Sequence, residues 1–416
     1  MSDASSLLSP VLVGPYLLRN RVVMPPLTRN RATDEFVPTA RMAVYYAQRA
    51  SAGLQVAEGA PISEQAVAYP RVPGIWNASQ RDAWRQVTDA VHAAGGVIFL
   101  QLWHVGRVSH SLTQPSGELP VAPSAVRIEE GEIYTPEGLQ EFEAPRSLGT
   151  DEVRAIVQDY AAAARNAMRA GFDGVEIHGA NGYLVDQFLN DQVNRRTDRY
   201  GGDVPNRLRF LLEVVDAVAA VWGPDRVGVR LSPSGTWMDC RDTDKKSLYS
   251  AAVEALGERS LAYLHLVEPT IAGSMSVEAS PDAISSAYFR HLYSGTLIVS
   301  GDHTLESGAK AIDNGTADLV GYGRAFIANP DLPTRFEQGA PLAEADRALF
   351  YSHDDKGYTD YPTIEEERHL TALMAAEEAG QLSFEAVRRA LVNGDPLAQV
   401  ARSQHYARAH FAPEPR

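Results

Sequence analysis

Eight short apolar or β-branched runs recur along the chain, and most are followed by a turn and an amphipathic stretch of helical length. They are RVVMPPL at 21–27, LQVAEGAPI at 54–62, VIFLQLWH at 97–104 and DGVEIHG at 173–179. RVGVRLSP at 226–233, LAYLHLVEP at 261–269, TLIVSGDH at 296–303 and ADLVGYGR at 317–324 complete the set. Helical patterns cover 40–51, 79–94, 151–170, 205–222 and 244–257, with Ser79, Thr150 and Thr304 as expected N-caps. Strands that alternate with helices pair in parallel, and eight such units close on themselves. The α/β fold expected is therefore a (β/α)8 TIM barrel. An open, doubly wound sheet is the alternative, weakened because no G-x-G-x-x-G turn follows the first run.

Three segments exceed the minimal pattern. VLVGPYLLRN, before the first run, reads as an N-terminal hairpin that could plug one end of the barrel. Residues 105–149 form an excursion after the third run, rich in turns such as QPSGELP and YTPEG, that could cap a rim. After Tyr361-Pro362 the chain becomes charged and alanine-rich. This divides it into a barrel domain, 1–362, and a helical C-terminal extension, 363–416. The extension reads as two amphipathic helices joined near Gly380, with Ser383 as a cap. Either the pair packs on its own barrel, or it exchanges across a subunit interface and makes a homo-oligomer.

Composition narrows the function. A formal net charge of −15 argues against a nucleic-acid surface, which needs clustered Lys and Arg. The single cysteine, Cys240, excludes an internal disulfide framework and a cysteine-rich metal site. No apolar run approaches the about 20 residues that span a bilayer, and the first residues show no secretory pattern. A soluble, cytoplasmic protein acting on small molecules is the expectation.

In such a barrel the chemistry sits at the C-terminal ends of the strands. Ser300-Gly301 and Gly321-Tyr322-Gly323-Arg324 fall after the seventh and eighth runs, where these barrels commonly bind phosphate. Either they offer backbone N–H groups and a guanidinium to an anion, or the glycines only let strands meet helices closely. Arg230, in the apolar run VGVRLSP, needs an anionic partner. That partner is either Glu176, on the same parity as His178, or a ligand. His178, Asn181 and Tyr183 gather at the end of the fourth run, around one small volume.

Longer motifs then match a known family. Met24-Pro25-Pro26-Leu27-Thr28-Arg29, Gln-Leu-Trp-His-x-Gly-Arg from Gln101 to Arg107, and HGANGYLVDQFL from His178 to Leu189 resemble the Old Yellow Enzymes. So do the stretch from Asn194 to Gly202, GRAFIANPDL from Gly323 to Leu332, and GYTDYP at 357–362. The resemblance spans roughly residues 10–362 and is strongest to bacterial and plant members that reduce maleimides, nitro compounds and oxophytodienoate-like enones.

It implies a barrel that holds FMN non-covalently, reduced by NADPH or NADH and reoxidised by an electron-poor alkene. Pro26, Leu27 and Thr28 would line the flavin, with Thr28 near its C4 carbonyl. Gln101 would hold the pyrimidine edge and Arg230 would face the N1–C2 carbonyl region. Ser300, Gly301, Gly323 and Arg324 would take the phosphate, and Gly59-Ala60 would allow close approach to the ring. His178 and Asn181 would bind the substrate oxygen, Tyr183 would protonate the α-carbon, and Tyr69, Trp103 and Tyr351 would shape the pocket. The sequence departs from the family after Phe350-Tyr351, where Ser-His-Asp-Asp-Lys replaces a frequent glycine-rich run. A glycosidase using Glu176 and Glu268 is a competing reading, but it requires neither Gln101, Arg230 nor the phosphate elements. A flavin-binding module without turnover is a third, and Tyr183 beside His178 and Asn181 argues against it.

Overall fold

All eight apolar runs become strands, and in the computed structural model they close into one parallel barrel in chain order. The structure describes residues 5–273 and 275–378. The strands are β1 (Val22–Met24), β2 (Leu54–Pro61), β3 (Ile98–Trp103) and β4 (Gly174–Gly179). β5 (Val227–Leu231), β6 (Tyr263–Val267), β7 (Leu297–Ser300) and β8 (Leu319–Gly321) follow. β8 pairs back onto β1 through Val320 and Val22, which completes the ring. Most strands are shorter than the runs that foretold them. The flanks, such as Pro25–Thr28 and Gly301–His303, turn into the loops above the barrel.

Side-chain parity sorts each strand into an outer and an inner face. Outward residues such as Val175, Ile177, Val229, Leu264 and Val299 are fully buried against the surrounding helices. The helix Thr150–Arg169 answers with Val153, Ile156, Tyr160, Ala163, Ala164 and Ala167 on one stripe. The inner face is unusually polar: Gln101 pairs in register with Glu176, His178 with Arg230, and Arg230 with His265. Gly228 is in this layer because the Tyr263 ring fills its place; a Cβ there would lie 2.2 Å from that ring.

The N-terminal hairpin, Val11–Val13 with Tyr16–Leu18, packs Val13 and Leu18 against Val23, Leu54, Phe99 and Ile298 at one end of the barrel. The excursion after β3 contains a second hairpin, Glu132–Thr135 with Gly138–Glu141. Ile128, Ile133 and Phe142 of this excursion pack with Trp103 and Tyr183 at the opposite rim. Of the C-terminal extension, a helix over Ile364–Glu378 is described. It is seated by buried Ile364 and Leu370 and by Arg335, which donates to the Pro362 carbonyl and to Glu367. The second helix and Ser383 lie outside the described residues. Among the described residues no helix is long and apolar enough to cross a membrane.

Two of the three expected caps move. Asn77, not Ser79, caps the helix Ala78–Ala93: its side chain accepts from Gln80 N–H while Gln80 returns a bond to Asn77 N–H. Thr150 is the first residue of its helix rather than its cap, and its hydroxyl donates to Asp198. Glu152 accepts from the N–H of Gly149, which holds the cap position. Thr304 caps the helix Leu305–Asp313 as expected.

Candidate active site

The C-terminal ends of the strands enclose a cavity of about 860 Å³, within the range of sites that take small molecules and cofactors. Every residue expected to bind or react lines it, with one exception, Ala60. β2 and β3 pair Ala57 with Leu100 and then Ala60 with Leu102, so one extra residue bulges out of β2. The bulge turns Gly59 to the cavity and Ala60 into the apolar core. Such a slip in parity leaves no mark in the sequence.

The upper part of the cavity is built by the turn after β4. Asn181 and Gly182 adopt left-handed φ values of 57° and 76°. Asparagine and glycine tolerate this region better than other residues. Two bonds hold the turn: Asn181 N–H donates to Ser232 Oγ at 2.8 Å, and Gly182 N–H to the buried carboxylate of Asp186 at 2.8 Å. The chain doubles back so that Tyr183 stands edge-on to Trp103 and His178, with ring centroids 4.9 and 5.0 Å away. The Tyr183 hydroxyl lies 3.5 Å from that of Tyr69, and Tyr351 stands half-exposed at the mouth.

Burial sets the protonation here. It pushes the Tyr183 phenol well above its ordinary value, reinforced by Tyr69, so the hydroxyl keeps its proton at neutral pH. Burial, reinforced by the positive charge of Arg230, pulls His178 well below the usual imidazole range, so the ring is neutral. His178 Nδ1 and Trp103 Nε1 are buried with no hydrogen-bond partner among the described residues. Both residues line the cavity, where a bound ligand would supply the missing partners.

The floor is arranged differently. Glu176 accepts from Gln101 Nε2 at 2.8 Å on one oxygen and from His265 Nδ1 at 2.8 Å on the other. His265 Nε2 is 2.6 Å from Ser300 Oγ. Arg230 makes no ion pair within 4 Å of a carboxylate among the described residues, so the direct Glu176 pair left open by the sequence does not form. The guanidinium Nε has no hydrogen-bond partner among the described residues.

β8 lies diametrically across the barrel from β4, and the phosphate elements stand there, opposite His178. Gly321 is glycine because a Cβ would strike Ser300 Oγ, and at Gly301 one would strike Glu268. Packing therefore accounts for these two glycines, while their backbones still line the cavity. Gly323 is less hemmed in, with Leu27 as its nearest neighbour at 3.1 Å from a built Cβ. Arg324 is held at the rim by an ion pair with Asp302 and a 2.8 Å bond to Ser276. Neither Glu176 nor Glu268 lines the cavity, since Glu268 turns away to Ser286, which removes the carboxylate pair a glycosidase needs.

Several lining residues had not been expected. Trp237 and Met238 come from the loop after β5, where Met238 has a left-handed φ of 56°. Tyr134 and Leu139 come from the hairpin of the excursion, and both are largely exposed. Long-range contact brings these residues in, and their local sequence carries no signal for it. His265, which joins the floor network without lining the cavity, did have one: a histidine inside an otherwise apolar strand.

A long cavity, glycine backbones and an arginine across the barrel from the aromatic end, and an unpartnered guanidinium between them suit a flat, phosphorylated redox cofactor. Fold and site together define a flavin-binding barrel oxidoreductase. Residues 6–343 match the model of the NADH:flavin oxidoreductase / NADH oxidase family. The chain is 46% identical to 12-oxophytodienoate reductase 2 of Arabidopsis thaliana, over 86% of this chain and 96% of the relative. It superposes on the Old Yellow Enzyme homologue from Zymomonas mobilis with a TM-score of 0.82 and 44% identity, over 86% of this chain and 99% of that one. Morphinone reductase in complex with tetrahydroNAD gives the same TM-score at 47% identity, over 86% and 98%. The chain belongs to the Old Yellow Enzyme family, whose cofactor is FMN and whose reductant is a nicotinamide.

Proposed function

We propose that this protein reduces electron-poor carbon–carbon double bonds in enones, maleimides and nitroalkenes, drawing electrons from NADPH or NADH. FMN, when bound, supplies the hydride that reaches the β-carbon. Thr28, Gln101 and Arg230 would hold its ring, and Ser300, Gly301, Gly323 and Arg324 its phosphate; the cavity's size and the bare Arg230 Nε support this fit. His178 and Asn181 bind the carbonyl or nitro oxygen, drawing electron density from the alkene as the hydride arrives. Tyr183 gives its proton to the α-carbon, so one hydride and one proton add across the bond. A buried phenol is a weak acid, yet an enolate carbon is basic enough to take its proton, and burial ensures the proton is there to give.

The observation that carries this reading is the convergence of Tyr183, His178 and Asn181 on one cavity, with His178 Nδ1 unpartnered. The purified protein is expected to be yellow and to release FMN on acid or heat denaturation. Anaerobic NADPH or NADH should bleach it, and cyclohexenone should restore the colour. FAD in the supernatant, or a bleached protein that no enone recolours, overturns the reading.

A further inference from the structure

The proposed chemistry leaves Glu176 without a part, although it is fully buried and hydrogen-bonds two groups of the cavity floor, Gln101 and His265. We propose that Glu176 is a positioning residue for the flavin: it fixes Gln101 and Ser300 as hydrogen-bond acceptors toward the cavity and offsets the charge of Arg230 there. The proposal rests on the flavin-binding reading of that floor given above.

The argument begins with what a carboxylate can do. An ionised carboxylate accepts hydrogen bonds and donates none. Burial acts to raise the pKa of Glu176, but His265, Arg230 and the Gln101 amide together hold it below its ordinary value, so it stays charged. Gln101 must therefore turn its NH₂ toward Glu176, which leaves Oε1 on the cavity side. A methyl group built on Gly59 would lie 3.3 Å from that oxygen. His265 is kept neutral by burial, so it carries one ring proton, and the carboxylate requires that proton on Nδ1. Nε2 is then an acceptor, and the Ser300 hydroxyl donates its only proton inward to it. Ser300 lines the cavity, and its Oγ keeps lone pairs alone for a ligand.

One buried charge thus sets the polarity of two side chains on two strands. Their acceptor oxygens suit the donors of a flavin, the N3–H of the ring and the ribityl hydroxyls. Arg230 meets the edge where negative charge collects on reduction, and Glu176 moderates that attraction. Its opposing field keeps the cofactor from becoming too weak a reductant for an enone.

The test is the two-electron midpoint potential of the holoenzyme, followed by spectroelectrochemical titration. Glu176→Gln keeps the shape and removes the charge. It should favour the reduced flavin about tenfold, a rise of about 30 mV. His265→Gln disturbs the same network yet spares the carboxylate, so its potential should match the wild type. If Glu176→Gln binds flavin fully with an unchanged or lowered potential, or if His265→Gln raises it equally, Glu176 has no such role. Should Glu176→Gln yield no folded protein, Gln101→Leu carries the test. Loss of the cavity-facing oxygen should weaken FMN retention about tenfold, and unchanged retention overturns the proposal. Wild-type protein that holds no flavin would instead overturn the functional reading itself.

Discussion

Floor and roof of the cavity satisfy their polar groups in opposite ways. Across the floor, Gln101, Glu176, His265 and Ser300 form an unbroken chain of hydrogen bonds within the protein, and the Arg230 Nε beside them has no partner among the described residues. At the roof, His178, Trp103 and Tyr183 touch mainly through ring edges, and two ring nitrogens have no partner. A closed network is stiff and presets which way each group faces. Unpaired ring nitrogens hold little of their hydrogen-bonding capacity within the protein and make it available to whatever enters. The floor is thus suited to a permanent occupant, and the roof to ligands that come and go.

Three measurements can break or sharpen this division. The largest effect is expected from Tyr183→Phe. Hydride passes from nicotinamide to flavin without a phenolic proton, so flavin reduction should be nearly unchanged. Enone reduction should slow by roughly 10²–10⁴, as for the loss of one general acid. Nitroalkenes, whose stabilised nitronates can be protonated by water, should suffer much less. Stopped-flow absorbance of the oxidised flavin separates the steps, and equal slowing of both would make Tyr183 a packing residue.

Arg230→Met attacks the floor. Loss of the cation should lower the flavin potential and weaken FMN binding, each by about tenfold in the corresponding equilibrium. The shift is opposite in sign to that of Glu176→Gln. A fully loaded variant with the wild-type potential would remove Arg230 from the cofactor's electrostatics.

The smallest effect is an absence. Below its ordinary value lies His178 and above its ordinary value lies Tyr183, so between about pH 6.5 and 10 neither changes its proton. Enone-driven reoxidation of the reduced enzyme should therefore be flat with pH across that interval. A titration with a midpoint near 7 would mean that His178 carries a charge at the roof.

The sequence exposed the barrel well because an alternating rhythm of strands and helices is a local property, repeated eight times. It brought the candidate residues to one cavity nearly as well, since Thr28, Gln101, His178, Arg230 and Arg324 all sit at or near the ends of strands whose order follows the chain. What it hid depends on the third dimension. The β2 bulge that swaps Ala60 for Gly59 needs the β3 register to be seen. Trp237 and Tyr134 reach the cavity from loops with no periodicity. The choice between Glu176 and a ligand as partner of Arg230 turns on a few ångströms, and parity along a strand gives only the side on which a residue faces.

Buried Arg29 and Arg31, just past β1, bind the last part of the barrel domain. Arg29 donates to the carbonyls of Phe350 and Gly357, and Arg31 to those of Leu349, Phe350, Asp354 and Lys356. β1 itself finds one of its two neighbours only in β8. On a ribosome these acceptors are made after all eight strands. A nascent chain that has reached β7 leaves these guanidiniums with the Tyr45 hydroxyl and the Arg29 carbonyl but without their later acceptors, and burying them so under-paired would cost several kcal/mol. The early strands must wait, partly collapsed, until about residue 358 has cleared the exit tunnel, so the cavity is completed only after all eight strands have been made.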